Sequence, residues 1–197
     1  MLKRTFDIIL SFIGIIILLP ILLVIAVLVK LTSKGPVFFT QTRVGRNGVD
    51  FKLYKFRSMT VLDEASKGRF DAGDTSRITT IGKFIRKTKL DELPQLWNVV
   101  CGDMSLVGPR PEIRQWVERY KERWQKILTA RPGITDPASI VFRNEEEVLS
   151  QSNEPLLHYE KIILPQKLKL YEQYVNHQSL HYDLFLIFKT IIFIFVK

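Results

Sequence analysis

The chain has 197 residues, 46% of them hydrophobic, a formal charge of +9 and a single cysteine. That length suits one domain with a real core plus an appended element, and Cys101 alone excludes a disulfide framework or a multi-cysteine metal site, leaving a structural thiol. The charge is uneven: residues 1–60 hold nine Lys and Arg against two acids, while the remainder nets only +2. The basic excess therefore belongs to the N-terminal part, where an anionic membrane surface or nucleic acid would meet it.

From Ile8 to Val29, 22 residues pass without a charge. As a straight helix they would extend about 33 Å, enough to cross hydrocarbon. The run is too long for a signal-peptide core and lacks a small-residue cleavage site, so residues 1–34 are expected to stay in the membrane and 35–197 to form a membrane-associated body. Pro20, near the middle, removes one backbone bond and clashes with the carbonyl of Ile16, which predicts a kink or break. Lys3 and Arg4 before the run, and Lys30, Lys34, Arg43 and Arg46 after it, give both flanks the positive charge of cytoplasmic segments. A helix broken at Pro20 that leaves by the face it entered satisfies both flanks. An ordinary single span with a tolerated proline satisfies the length equally well.

Residues 37–43 and 49–56 are rich in aromatic and β-branched types around Asn47-Gly48, which predicts a β-hairpin. Lys52, Lys55 and Arg57 decorate its return strand, with Lys55 a candidate phosphate ligand and a solvated face the plainer reading. Residues 60–76 are polar and read as a mobile loop. Ile78, Ile81, Phe84 and Ile85 then fall at helical spacing, with Lys83, Arg86 and Lys87 on the surface. Leu90, Leu93, Trp97 and Val100 continue as an apolar stripe on a following helix.

Between those two helices lies LDELP, residues 90–94. Pro94 predicts a bend at Asp91-Glu92 and places both carboxylates at a helix start. Such a pair either stabilises that start or meets a cation or phosphate there. GDMSLVGPRPE, residues 102–112, is too rich in Gly and Pro for a helix and presents Arg110 between two prolines, a stiff way to grip a phosphate. Residues 113–129 read as helix, with Trp116, Tyr120, Trp124 and Leu128 at near-helical spacing. RPGITDPAS is a second turn region, a long helix is expected through residues 162–175, and the short apolar C-terminus reads as an interfacial or core helix. No Walker loop, dinucleotide fingerprint or paired Cys/His metal motif is present, and no nucleic-acid-reading motif either.

Together KRTFDIILSFIGIIILLPIL, VFFTQTRVGRNGVDFKLYKFRSM, IGKFIRKTKLDELPQLWNVVCGDMSLVGPRPE and RPGIT closely resemble the bacterial sugar transferases, the small monotopic polyprenyl-phosphate phosphoglycosyl transferases. The C-terminal DLFLIFKTI is similar as well, so the resemblance covers nearly the full chain. It implies a mainly helical α+β fold: a re-entrant helix broken at Pro20, then a catalytic domain with a short hairpin and interfacial helices, on the cytoplasmic face of the bacterial inner membrane. It also implies transfer of a sugar 1-phosphate from a UDP-sugar to undecaprenyl phosphate, with release of UMP and use of Mg²⁺. Carried to this sequence, Asp91 becomes the nucleophile that holds a covalent phosphosugar, and Glu92 its acid–base and metal-site partner. Arg86, Arg110 and Arg143 become phosphate ligands. Anionic membrane lipids and a second copy of the chain, as a homodimer, are expected partners; nucleic acid is not. Two positions depart from the family pattern. Leu19-Pro20 stands where Ser-Pro is usual, and Asp136-Pro137-Ala138 follows RPGIT where Gly-Leu-Ala is common; the second change bears on the choice of sugar.

Overall fold

The computed structural model describes residues 2–61 and 76–195. Most of the polar stretch read as a loop between 60 and 76 thus lies outside the described residues. The first element is helix α1 (Leu2–Thr32), which runs on through Pro20 as a single helix. One missing donor does not end a helix whose turns are bonded on either side, so the expected break is not realised as a termination. By length and composition α1 is able to cross a membrane. Its outward face, including Ile9, Phe12, Ile16, Ile17, Leu23 and Val24, is exposed.

Both ends of α1 are fastened to the same body. Near the N-terminus, the Asp7 carboxylate accepts from Ser105 Oγ at 2.7 Å and from the Leu106 N–H at 3.4 Å. Lys3 pairs with Asp183, and Arg4 donates to the carbonyls of Val100 and Met104. At the C-terminal end, Ile25 and Val29 share a core with Phe56 and Ile85. There the Arg57 guanidinium gathers the carbonyls at and just past the helix end, donating to Val29, Ser33 and Lys34 at 3.3, 2.7 and 2.8 Å. Arg57 is therefore a buried clamp and not a solvated strand residue.

The hairpin follows as β1 (Phe38–Val44) and β2 (Asp50–Phe56), antiparallel with Phe38 opposite Phe56 and Val44 opposite Asp50. Its turn is longer than a two-residue link. Arg46–Gly48 forms a short 3-10 turn, with Asn47 and Gly48 at positive φ. Helix α2 (Thr80–Lys87) is capped by Thr79, whose hydroxyl accepts from the Gly82 N–H. A 3-10 turn at Leu90–Glu92 then leads to α3 (Gln95–Cys101).

On α3 the buried side chains are Gln95, Leu96, Asn98 and Val99, while Trp97 is 56% exposed. Of the expected stripe, Trp97 turns away from the core, while Leu90 packs against the Ile25, Val29, Phe56 and Ile85 cluster and Leu93 and Val100 are half-buried. The face turned to the body is partly polar because Asn98 stitches α3 to β2: its amide donates to the Lys52 carbonyl and accepts from the Tyr54 N–H. Phe84 of α2 is exposed in the same way.

Strand β3 (Ser105–Val107) lies within the Gly/Pro-rich segment and pairs in parallel with β4 (Gly133–Thr135). A Cβ on Gly133 would stand 2.1 Å from the Gly108 nitrogen, so only glycine permits this approach. That contact sets the GPRP loop beside the RPGIT turn. The helical reading of 113–129 resolves into α4 (Arg114–Arg119) and α5 (Lys121–Ile127), broken at Tyr120, whose backbone leaves the helical region. Short helices α6 (Pro137–Val141), α7 (Glu145–Ser150) and α8 (Pro155–His158) precede a π-turn and the long α9 (Leu164–His177). Trp116, Trp124, Tyr159, Leu164, Leu168 and Tyr171 form the largest core between α4, α5 and α9. The last helix, α10 (Leu180–Phe195), keeps Phe185, Phe188 and Ile191 exposed. The fold is mainly helical with a short antiparallel hairpin.

Candidate active site

Lys89 adopts the left-handed conformation, φ 57° and ψ 15°, and turns the chain sharply out of α2. The next residues close the Leu90–Glu92 turn, and Pro94 starts α3. Asp91 and Glu92 are held inside this corner, 7% and 9% exposed. Neither caps a helix: no side chain bonds the free amides of the 3-10 turn or of α3. Their partners are cations from elsewhere in the chain.

Glu92 Oε1 accepts from Lys55 Nζ of β2 at 2.8 Å and from Nη2 of Arg110, and Oε2 accepts from Arg110 Nη1 at 3.3 Å. Asp91 differs. Its Oδ1 is buried and has no hydrogen-bond partner. Burial, and then the neighbouring Glu92 charge, push the Asp91 carboxyl above its ordinary value, against the pull of Lys55, Lys89 and Arg86. Burial pushes Glu92 upward too, but Arg110 and Lys55 outweigh it and hold that carboxyl well below its ordinary value. Burial lowers Lys55 despite Glu92, whereas Glu92 raises Arg110 above its already high value. Two adjacent carboxyls thus receive opposite treatment. Glu92 is a fixed anion and a poor proton donor; Asp91 is a carboxylate with a free oxygen.

Of the residues expected from the sequence, Lys55, Asp91, Glu92 and Arg110 come together. Arg86 is near enough for its charge to act on Asp91, and it pairs with Glu146 of α7 at 2.5 Å. Arg143 is exposed, with its guanidinium 5.5 Å from the centre of the Phe193 ring on α10. Two buried polar residues have roles the sequence reading did not assign, Asp136 as a cap and Gln95 in the core face of α3. Asp136, 0% exposed, caps α6 by accepting from the Ser139 N–H, and its charge reaches Arg110. The Asp-Pro pair at a helix start was the legible signal for that cap. Gln95 enters from α3 fully covered, and a lone glutamine in a helical stretch gives no such signal.

Fold and site together define a domain carrying an N-terminal helix long and apolar enough to cross a membrane, whose buried carboxylate pair sits in a frame of cations suited to anionic, phosphate-bearing ligands. The chain belongs to the bacterial sugar transferase family, whose model matches residues 1–197. It is 42% identical over 193 residues to a UDP-glucose:undecaprenyl-phosphate glucose-1-phosphate transferase of Klebsiella pneumoniae, covering 96% of this chain and 39% of that one. It is 38% identical over 192 residues to a UDP-N-acetylgalactosamine-undecaprenyl-phosphate N-acetylgalactosaminephosphotransferase of Aeromonas hydrophila, covering 96% and 42%. With the exopolysaccharide production protein ExoY of Rhizobium meliloti the identity is 34% over 206 residues, covering 97% and 84%. The chain spans about two-fifths of the length of the first two relatives.

Proposed function

We propose that this chain is a phosphoglycosyl transferase that moves a sugar 1-phosphate from a UDP-sugar to undecaprenyl phosphate and releases UMP, starting a lipid-linked glycan. The observation that carries this reading is the unequal pair: a free, buried Asp91 oxygen beside a Glu92 that anchors Lys55 and Arg110. The names of the relatives supply the substrate class.

In the first step an Asp91 oxygen attacks the sugar-bearing phosphorus. A bond from Asp91 to phosphorus forms, the bond from that phosphorus to the bridging oxygen breaks, and UMP departs with the electron pair. In the second step an oxygen of undecaprenyl phosphate attacks the same phosphorus, and the Asp91 carboxylate leaves with its electrons restored. Arg110 and Lys55 offset the charge that would otherwise repel an anionic nucleophile from a diphosphate. Glu92 orients these two cations. Its depressed proton affinity favours that role over acid–base work.

The donor set fits Mg²⁺. Asp91 Oδ1 is unpartnered, and Glu92 Oε2 holds only a 3.3 Å contact, leaving hard oxygen ligands of the kind Mg²⁺ takes alongside phosphates and waters. Asp91 and Glu92 would hold the ion, which when bound supplies further neutralisation of the diphosphate.

The fastening of both ends of α1 supports a re-entrant reading of residues 1–34 although the helix runs on through Pro20. Lys3, Arg4 and Asp7 bond, and Ile25 and Val29 pack, against one body, as they would if both ends lay on the cytoplasmic face of the inner membrane. The exposed apolar side chains of α1, Phe84, Trp97 and α10 support contact of that body with lipid. Incubating the purified chain with undecaprenyl phosphate, Mg²⁺ and a panel of UDP-sugars tests the reading: UMP release with at least one sugar is expected, and none with any sugar contradicts it.

A further inference from the structure

Gln95 opens α3 one turn beyond Asp91 and is 2% exposed. Its amide nitrogen Nε2 is buried without a hydrogen-bond partner, and so is Asp91 Oδ1. A donor and an acceptor at one corner therefore stand unpaired and do not satisfy each other. Burying an unpaired N–H costs stability, and a folded protein tolerates that where the group serves a ligand.

Leu93 and Pro94 both keep right-handed helical backbone between the Leu90–Glu92 turn and α3, so the chain coils on and Gln95 stands about one turn beyond Asp91. Side chains on a helix lean toward its N-terminus, so the Gln95 amide leans back over the Leu90–Glu92 turn. The ligand must accept a hydrogen bond and tolerate the neighbouring Lys55, Arg86 and Arg110, which selects an anion. A neutral amide has a specific advantage here. A lysine in its place would pair with Asp91 and quench it; an amide donates to the incoming phosphoryl group and leaves the carboxylate its charge.

We propose that Gln95 is a substrate-binding residue of this site, its Nε2 donating a hydrogen bond to a non-bridging oxygen of the phosphoryl group that Asp91 attacks. The inference rests on the phosphoryl-transfer reading above.

Gln95→Met keeps the side-chain length and removes the donor. The test compares it with wild type for UMP release from the accepted UDP-sugar, and for thermal unfolding with and without UDP as a non-transferring probe. The variant should lose about 10²–10³-fold in kcat, the loss typical of one missing oxyanion donor. Its free form should unfold at the wild-type temperature or higher, because an unpaired buried donor has gone. The stabilisation by UDP should shrink, and Gln95→Glu, which sets a third carboxylate against the phosphoryl group, should turn over more slowly still. A Gln95→Met rate within threefold of wild type overturns the assignment, and so does a slow variant whose free form melts lower, which makes Gln95 a packing residue. If wild type turns over and Gln95→Met matches it, the Gln95 assignment fails alone; if wild type releases no UMP, the transfer reading fails and takes Gln95 with it.

Discussion

Arg110 straddles the carboxylate of Glu92, with Nη1 on Oε2 and Nη2 on Oε1. The two residues come from loops 18 positions apart, and the prolines on either side of Arg110 hold it to this geometry. Charge-assisted forks of this kind are stronger than neutral hydrogen bonds and geometrically selective. In a double-mutant cycle of thermal or chaotrope unfolding, Glu92→Gln and Arg110→Gln should show a coupling of about 1–3 kcal/mol. Additive effects within measurement error would remove the fork from the site's framework. Arg110→Lys, which keeps the charge and loses the fork, should not restore wild-type activity.

Asp91 places function against stability. Its carboxyl is raised above the ordinary 3.8, first by burial and then by Glu92. The folded chain thus binds that proton more tightly than the unfolded chain, so the benefit of the protonated form is full below the unfolded value and lost as pH rises through the folded one. At neutral pH the ionised group costs stability. Asp91→Asn should therefore raise the melting temperature at pH 7, by roughly 2–4 °C if the cost is about 1 kcal/mol, while activity falls at least about 10³-fold. The gain in melting temperature should shrink as pH falls below the raised value. A variant that melts lower at pH 7 would contradict the electrostatic account.

Arg57 closes the exit of α1 by donating to the carbonyl of Val29 in its last turn and to those of Ser33 and Lys34 just beyond it. Arg57→Met leaves them to compete for other donors in a partly buried corner, at a cost of about 1–3 kcal/mol. Limited proteolysis should then cut near residues 33–37 faster than in wild type, with Asp91 chemistry reduced only through the loosened body. Equal cleavage rates would show that the clamp contributes little.

The topology is testable at the two ends of α1. In a Cys101→Ser background, Leu2→Cys and Lys34→Cys should both react with a membrane-impermeant thiol reagent from the cytoplasmic side of inverted vesicles. Labelling of the two positions from opposite sides would establish a span and overturn the re-entrant reading.

The hairpin, α2 and the corner at LDELP were legible because local chemistry decides them, whereas Lys55 and Arg110, expected as phosphate ligands, reach Glu92 across 37 and 18 positions, a pairing that local chemistry does not decide. Asn47-Gly48 turns, Thr79 caps, and Pro94 separates two helices. What the sequence misplaced was the direction of apolar faces. Trp97 and Phe84 are exposed although their spacing points inward, since helical spacing marks an apolar face without saying what covers it, and the proposed lipid contact would account for that face. The buried face of α3 carries Gln95 and Asn98 instead, and polar core residues have no period to betray them. The parallel pairing of β3 with β4 was hidden for another reason: three-residue strands too short for alternation, joined through a glycine contact between distant segments.

The central claim is that Asp91 takes the phosphosugar onto its own oxygen. The direct measurement is mass spectrometry of the purified chain incubated with Mg²⁺ and an accepted UDP-sugar, without undecaprenyl phosphate, followed by acid quench and peptide mapping. The account predicts an adduct of one sugar phosphate on the peptide containing Asp91, discharged by adding undecaprenyl phosphate and absent from Asp91→Asn. UMP release undiminished in Asp91→Asn, or an adduct mapped to another residue, would contradict it.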